Sequence, residues 1–150
     1  MKYDFNFLED YFKDYNVTIK KDGDISFKIT LDQEVTIYFQ NAENEDDSLI
    51  AFVNGEWHCH DDIIFSGKNG YYISLNYIDF ISEIIEGNVL ICLLYSAGKL
   101  KDIFPIHKNY FDELDYMEFG EGLRIKKLKI EKKFGELNYE QENRNIKFFL

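Results

Sequence analysis

Between Ile25 and Gln40 the chain alternates apolar and polar residues with a period of two, and few folds accommodate that pattern. Ile25, Phe27, Ile29 and Leu31 point one way, and Ser26, Lys28 and Thr30 the other. After Asp32-Gln33-Glu34 the alternation resumes, with Val35, Ile37 and Phe39 against Thr36, Tyr38 and Gln40. Successive side chains of a strand lie on opposite faces, so these residues predict an antiparallel meander that buries one face and wets the other. Val17 and Ile19, with a turn at residues 21–24, extend it by one strand.

Two amphipathic helices are available to cover the apolar face. Phe5, Leu8, Phe12 and Tyr15 recur at helical spacing within residues 4–15, with Asp4 as the cap. Tyr77, Phe80, Ile81, Ile84 and Ile85 form a second stripe within 77–86, opened by Asn76 and closed by Gly87. Residues 89–94 are apolar throughout and predict a strand covered on both faces. A turn at 96–99 leads into a strand over 100–104 that Pro105 stops. A short helix is expected within 109–117 through Tyr110, Phe111 and Leu114. From Leu123 the tail predicts two or three strands, with a bulge where the pattern changes phase between Ile125 and Leu128. The expected class is α+β, one domain over residues 1–150: an antiparallel sheet of meander and hairpins packed against one or two amphipathic helices.

Composition narrows the function classes. A chain that is 45% hydrophobic and 17% aromatic is not disordered. No apolar run approaches the roughly 18 residues of a membrane span, and Met1-Lys2-Tyr3-Asp4 opens no signal-peptide core, so a cytoplasmic location is expected, away from membranes. Cys59 and Cys92 are then expected as free thiols. The net charge of −11 is uneven: residues 1–62 hold 15 acidic against 5 basic side chains, and residues 123–150 hold 4 against 8. That balance disfavours nucleic acid, whose phosphates need clustered Lys and Arg, and the basic run 124–129 reads as a strand guarded by lysines. A basic protein partner suits the acidic remainder.

Unusual chemistry concentrates in Gly55-Glu56-Trp57-His58-Cys59-His60-Asp61-Asp62, which holds the only Trp and two of three His. Whatever the register, His58 and His60 share one face of a strand, and Trp57 and Cys59 the other. Two arrangements fit. Asn54-Gly55 can form a type I′ hairpin turn, placing Phe52 opposite Trp57 and Ile50 opposite Cys59, with His58 and His60 beside Ala51 and Leu49. Alternatively residues 49–60 form one continuous strand with Glu56, His58, His60 and Asp62 in a polar row. The imidazole pair reads first as a binding surface, together with Glu56, Asp62 and the acidic loop residues Glu43, Glu45, Asp46 and Asp47. The alternative is a Zn²⁺ site on His58, His60 and Asp62, with His107 as a further ligand.

Other signatures fail on spacing. The metallo-β-lactamase pattern HxHxDH finds Ile63 at its last position, and a cupin would need a Glu where Ile64 and Phe65 stand. The loop 41–47 lacks the EF-hand spacing and Gly. Ser66-Gly67-Lys68 lacks the first glycine of a phosphate loop. No Ser has a His near it in sequence, so no nucleophile constellation is expected.

Three segments together resemble a known group. Gly55-Glu56-Trp57-His58-x-His60-x-Asp62, then Ile78-Asp79-Phe80-Ile81 continuing to Gly87, then Leu94-Tyr95-Ser96-Ala97-Gly98-Lys99-Leu100, are similar to small bacterial proteins of uncharacterised or immunity-protein type, the partners of polymorphic secreted toxins. The resemblance covers residues 55–106. It implies a protein that binds and blocks a cognate toxin without chemistry, and it assigns no catalytic residue and no cofactor.

Overall fold

A computed structural model of the chain describes residues 5–40, 48–113 and 122–131. The alternating segment becomes the heart of a five-stranded antiparallel sheet in the order β1-β2-β3-β4-β5, with β1 at Thr18–Lys21, β2 at Ser26–Thr30, β3 at Thr36–Gln40, β4 at Leu49–Phe52 and β5 at His58–Cys59. Phe27, Ile29, Ile37, Phe39, Ile50 and Phe52 fill its inner face, each buried. The outer face carries Lys28, Thr30 and Tyr38, as the period of two requires.

The second helical stripe lands as expected. Helix α2 spans Tyr77–Ile85, with α1 at Phe5–Phe12 preceding it in the chain. The Asn76 side chain accepts the Asp79 N–H at 2.8 Å, satisfying a donor the first turn leaves open. Gly87, at φ +81°, ends the helix; a Cβ there would lie 2.7 Å from the Leu128 carbonyl. Tyr77, Ile78, Phe80, Ile81, Ile84 and Ile85 are buried, each contributing about 1.5–3 kcal/mol relative to exposure.

Between the sheet and α2 lies a two-stranded hairpin, β6 (Ile63–Ser66) and β7 (Tyr72–Leu75). After α2 come β8 (Val89–Ser96), β9 (Lys99–His107) and β10 (Leu123–Lys126), a three-stranded antiparallel sheet in the order β10-β8-β9. Val89 to Leu93 are all buried, as a central strand covered on both faces demands. One contiguous apolar cluster joins α1, the large sheet, β6, α2, β8 and β9.

The structure corrects several expectations. Helix α1 ends at Phe12, short of Tyr15. Pro105 does not stop its strand; β9 continues to His107, with Pro105 opposite Ile91. As an edge strand, β9 has one side without ladder bonds, where a missing N–H costs nothing. The expected helix within 109–117 is a 3₁₀ turn at Lys108–Glu113. Strand β10 ends at Lys126 instead of bulging on to Leu128, and it is the one tail strand among the described residues. Leu114 and the acidic loop with Glu43, Glu45, Asp46 and Asp47 lie outside the described residues.

Candidate functional site

The hairpin alternative holds, but not through the turn that suggested it. Ile50 pairs with Cys59 and Ala51 with His58, the register expected of a hairpin. A two-residue type I′ turn needs positive φ at both central residues, whereas only Asn54 has one, at +72°. Residues 53–57 form a five-residue connection instead. Gly55 serves a different need: its Cα lies against Ile103 of β9, and a Cβ would collide with the Ile103 side chain and sit 2.9 Å from its carbonyl oxygen. Asp102 secures the contact, accepting the N–H of Glu56 at 3.1 Å and that of Ile103 at 2.8 Å.

The two faces of this segment separate as alternation requires. Trp57 packs on the core, its ring 5.4 Å from Phe52 and stacked 5.5 Å from Phe80. Cys59 is half-buried beside it, and its thiol donates to the Asp61 carbonyl at 3.1 Å. Burial pushes that thiol's pKa up, so it stays protonated and is a poor nucleophile. His58 and His60 project outward together, both exposed, with ring centroids 5.2 Å apart and planes perpendicular.

Each imidazole is tied at one nitrogen. His58 Nδ1 lies 3.1 Å from the Glu56 carbonyl and His60 Nδ1 lies 2.9 Å from the Ser48 carbonyl. A carbonyl only accepts, so both Nδ1 atoms carry their protons, and in the neutral rings Nε2 is left as the acceptor. The backbone beneath is pinned from the core: the buried Tyr77 hydroxyl donates to the Cys59 and His60 carbonyls, at 3.1 and 2.8 Å. Nothing in the sequence pattern marks Tyr77, Ser48 or Asp102 as positioning groups; Tyr77 reads there only as the first residue of an apolar stripe.

His107 belongs elsewhere. It is buried at the end of β9, its ring between Phe65 and Tyr110. The Asn109 N–H donates to its Nδ1 at 3.1 Å, so the neutral ring holds its proton on Nε2, 3.9 Å from the Glu83 carboxylate. Burial lowers its pKa despite that carboxylate. Asp62 is exposed, and its carbonyl is what faces the Cys59 thiol, at 3.6 Å. Among the described residues no group of three or more His, Cys, Asp or Glu side chains is placed to hold a metal ion, so His58, His60, Asp62 and His107 are not brought together as one ligand set.

What does converge is a row at the β5 margin of the five-stranded sheet. Glu56, His58, His60, Asp61 and Asp62 are all exposed along β5 and its flanks. Two shallow surface depressions, one lined by Thr18, Lys20, Lys21 and Lys28, the other by Tyr95, Gly98, Gly122 and Arg124, include neither outward imidazole. No helix among the described residues is long and apolar enough to cross a membrane. Set against known proteins, the α+β chain with this His-acid edge matches no family model, no curated protein and no solved structure.

Proposed function

We propose that the protein is a non-enzymatic binding module, an immunity-like inhibitor that covers the active surface of a basic bacterial toxin in the cytoplasm. The observation that carries this reading is the fixed, exposed row on β5. Three carboxylates flank two imidazoles there, on backbone held by Tyr77 and with the His60 ring held by the Ser48 carbonyl, and no Lys or Arg stands between residues 54 and 62. A pre-shaped acidic edge attracts a basic partner and fixes its orientation, and rigidity lowers the ordering cost of binding. The identity of that partner as a toxin rests on the sequence resemblance, and the acidic loop 43–47 joins the surface on sequence grounds.

Calorimetric titration with a basic bacterial toxin domain tests the reading. Affinity is expected to fall at least tenfold between low and high salt, and Asp62→Lys and Asp46→Lys are each expected to weaken it further. Binding that ignores both salt and these substitutions counts against the acidic surface.

A second reading is favoured by one observation: with both Nδ1 protons committed to carbonyls, the exposed rings of His58 and His60 keep Nε2 as the acceptor, a tautomer that can bind zinc. In this reading the protein is a metal-dependent enzyme, with Asp62 completing the set after a local shift. Elemental analysis of untagged protein separates the two. Less than about 0.1 zinc per chain removes the enzyme, since a site of ordinary affinity stays loaded through purification.

A further inference from the structure

Two of the three histidines stand in solvent, whereas His107 is 4% exposed. Burial penalises the charged ring and leaves the neutral one almost untouched, so such an imidazole must place its single proton on one nitrogen. The backbone makes that choice here. The Asn109 N–H points at Nδ1 from 3.1 Å, a bond that lasts only while Nδ1 keeps its lone pair. With the other proton on Nε2, a second proton has one place to go, and that atom already accepts a bond.

Four elements surround the ring. Phe65 of β6 and Tyr110 of the 3₁₀ turn face it, at centroid distances of 5.8 and 6.1 Å, and Val89 of β8 lies opposite it in the ladder. Helix α2 contributes Glu83, whose carboxylate stands 3.9 Å from Nε2, too far for a direct hydrogen bond. That carboxylate is itself held, since the Asn88 side-chain amide donates to its other oxygen at 3.3 Å. Glu83 and Lys108 are the charged groups that act on the ring among the described residues. Two N–H groups fasten the start of the turn Lys108–Glu113: Lys108 donates to the Asn88 carbonyl at 2.9 Å, and Asn109 to the imidazole. The first bond is indifferent to pH, and the second is not.

We propose that His107 is an acid-operated latch on the turn Lys108–Glu113. Protonation at Nδ1 sets two N–H donors against each other where one bond stood, 3.1 Å apart. The imidazolium gains Glu83 in exchange: a shift of about 1 Å brings Nε2–H within the roughly 2.8 Å of a charge-assisted bond. Asn109 then loses its acceptor and Tyr110 the ring it packs on, so the turn swings out about Lys108, whose bond to Asn88 remains. Strand β9 keeps its ladder with β8, and the opening stays local. Burial holds the His107 pKa below its ordinary 6.5, with Glu83 pulling it back up and Lys108 pushing it further down. For a base whose folded pKa is depressed, the docked state is fully favoured above the unfolded value and loses that advantage as pH falls through the folded one. The turn is therefore closed at neutral pH and released below pH 6.5.

Nuclear magnetic resonance of the full chain from about pH 7.5 to about pH 4.5 reads both partners of the bond. The His107 ring resonance, assigned by its loss in His107→Asn, and the Asn109 amide are expected to shift with one shared midpoint below pH 6.5. Protection factors at residues 109–113 should fall about tenfold across it, while far-UV circular dichroism stays native. Glu83→Gln removes the counter-charge yet keeps an acceptor for Asn88, and should lower the midpoint. Lys108→Gln should raise it. His107→Asn keeps an acceptor where Nδ1 stood and cannot titrate, so its turn should stay protected in acid. An Asn109 amide that does not follow the ring overturns the inference, as does a far-UV signal lost at the same midpoint, which is acid unfolding of the whole chain. So does a midpoint that Glu83→Gln leaves unchanged or raises. None of these readouts bears on toxin binding at β5.

Discussion

Removing one hydroxyl tests how the edge strand is held. Tyr77→Phe keeps the buried ring and its edge-on contact with Phe39, at 5.1 Å, and deletes the donor shared by the Cys59 and His60 carbonyls. A neutral hydrogen bond contributes about 1 kcal/mol net, and a buried acceptor left bare costs up to about 3. The His60 carbonyl lies at a sheet margin where water replaces part of the loss, so about 1–2 kcal/mol is expected. For a chain of this length that lowers Tm by roughly 2–8 °C. Trp57 is the only tryptophan and stacks on Phe80, so its fluorescence in urea follows the transition, with the m-value unchanged. Amide exchange supplies the local readout: protection should fall first at residues 58–61. Tyr77→Ala, which also empties the ring's site, should cost about 3–5 kcal/mol. If Tyr77→Phe matches wild type within about 0.3 kcal/mol, or if exchange rises uniformly, the hydroxyl does not pin β5 and the fixed surface loses its support.

Three further outcomes follow from the same coordinates. Gly55→Ala drives a Cβ into Ile103, which is fully buried, and should cost about 1–3 kcal/mol of stability by urea melt. Lys126 bridges Asp32 at 2.5 Å and Glu34 at 2.6 Å, fastening β10 to the β2–β3 turn. Burial alone would raise the Asp32 carboxyl, but bonding to Lys126 and to the N–H groups of Glu34 and Val35 holds its pKa down. Burial opposes and both carboxylates raise the Lys126 pKa. The depressed acid contributes stability that is lost as pH falls through its folded value, and the raised ammonium contributes stability that is lost as pH rises through its own. The gap between wild type and Lys126→Met should therefore be widest between about pH 4 and pH 10, roughly 1 kcal/mol at low salt, and close at both ends. Thiol titration should find Cys59 slow and Cys92, whose pKa burial pushes up to about 12, silent until the protein unfolds.

How much of this was legible in the sequence depended on whether the cause was local. Alternation over 25–40 determined the meander because one face had to be buried, and a one-residue slip would expose Phe27, Ile29, Ile37 and Phe39 together. Asn76, the stripe behind it and Gly87 marked α2 within one residue at its end, since capping and period act within a few residues. The outward pairing of His58 and His60 followed from parity alone. What stayed hidden depended on distant partners. The Asn54-Gly55 dipeptide signals a turn, but the glycine answers to Ile103, 48 positions away, so the dipeptide alone does not disclose the turn type. Pro105 reads as a stop unless its strand is known to be an edge. Tyr77 and Asp102 act through a hydroxyl and a carboxylate whose acceptors and donors no periodicity encodes.

The distribution of charge along the strand edges gives the β5 surface its selectivity. A sheet protein with an acidic excess has carboxylates to spare for guarding edges. At β5 the guard is also the attraction, because Glu56, Asp61 and Asp62 that repel a second acidic copy are what a basic protein would seek.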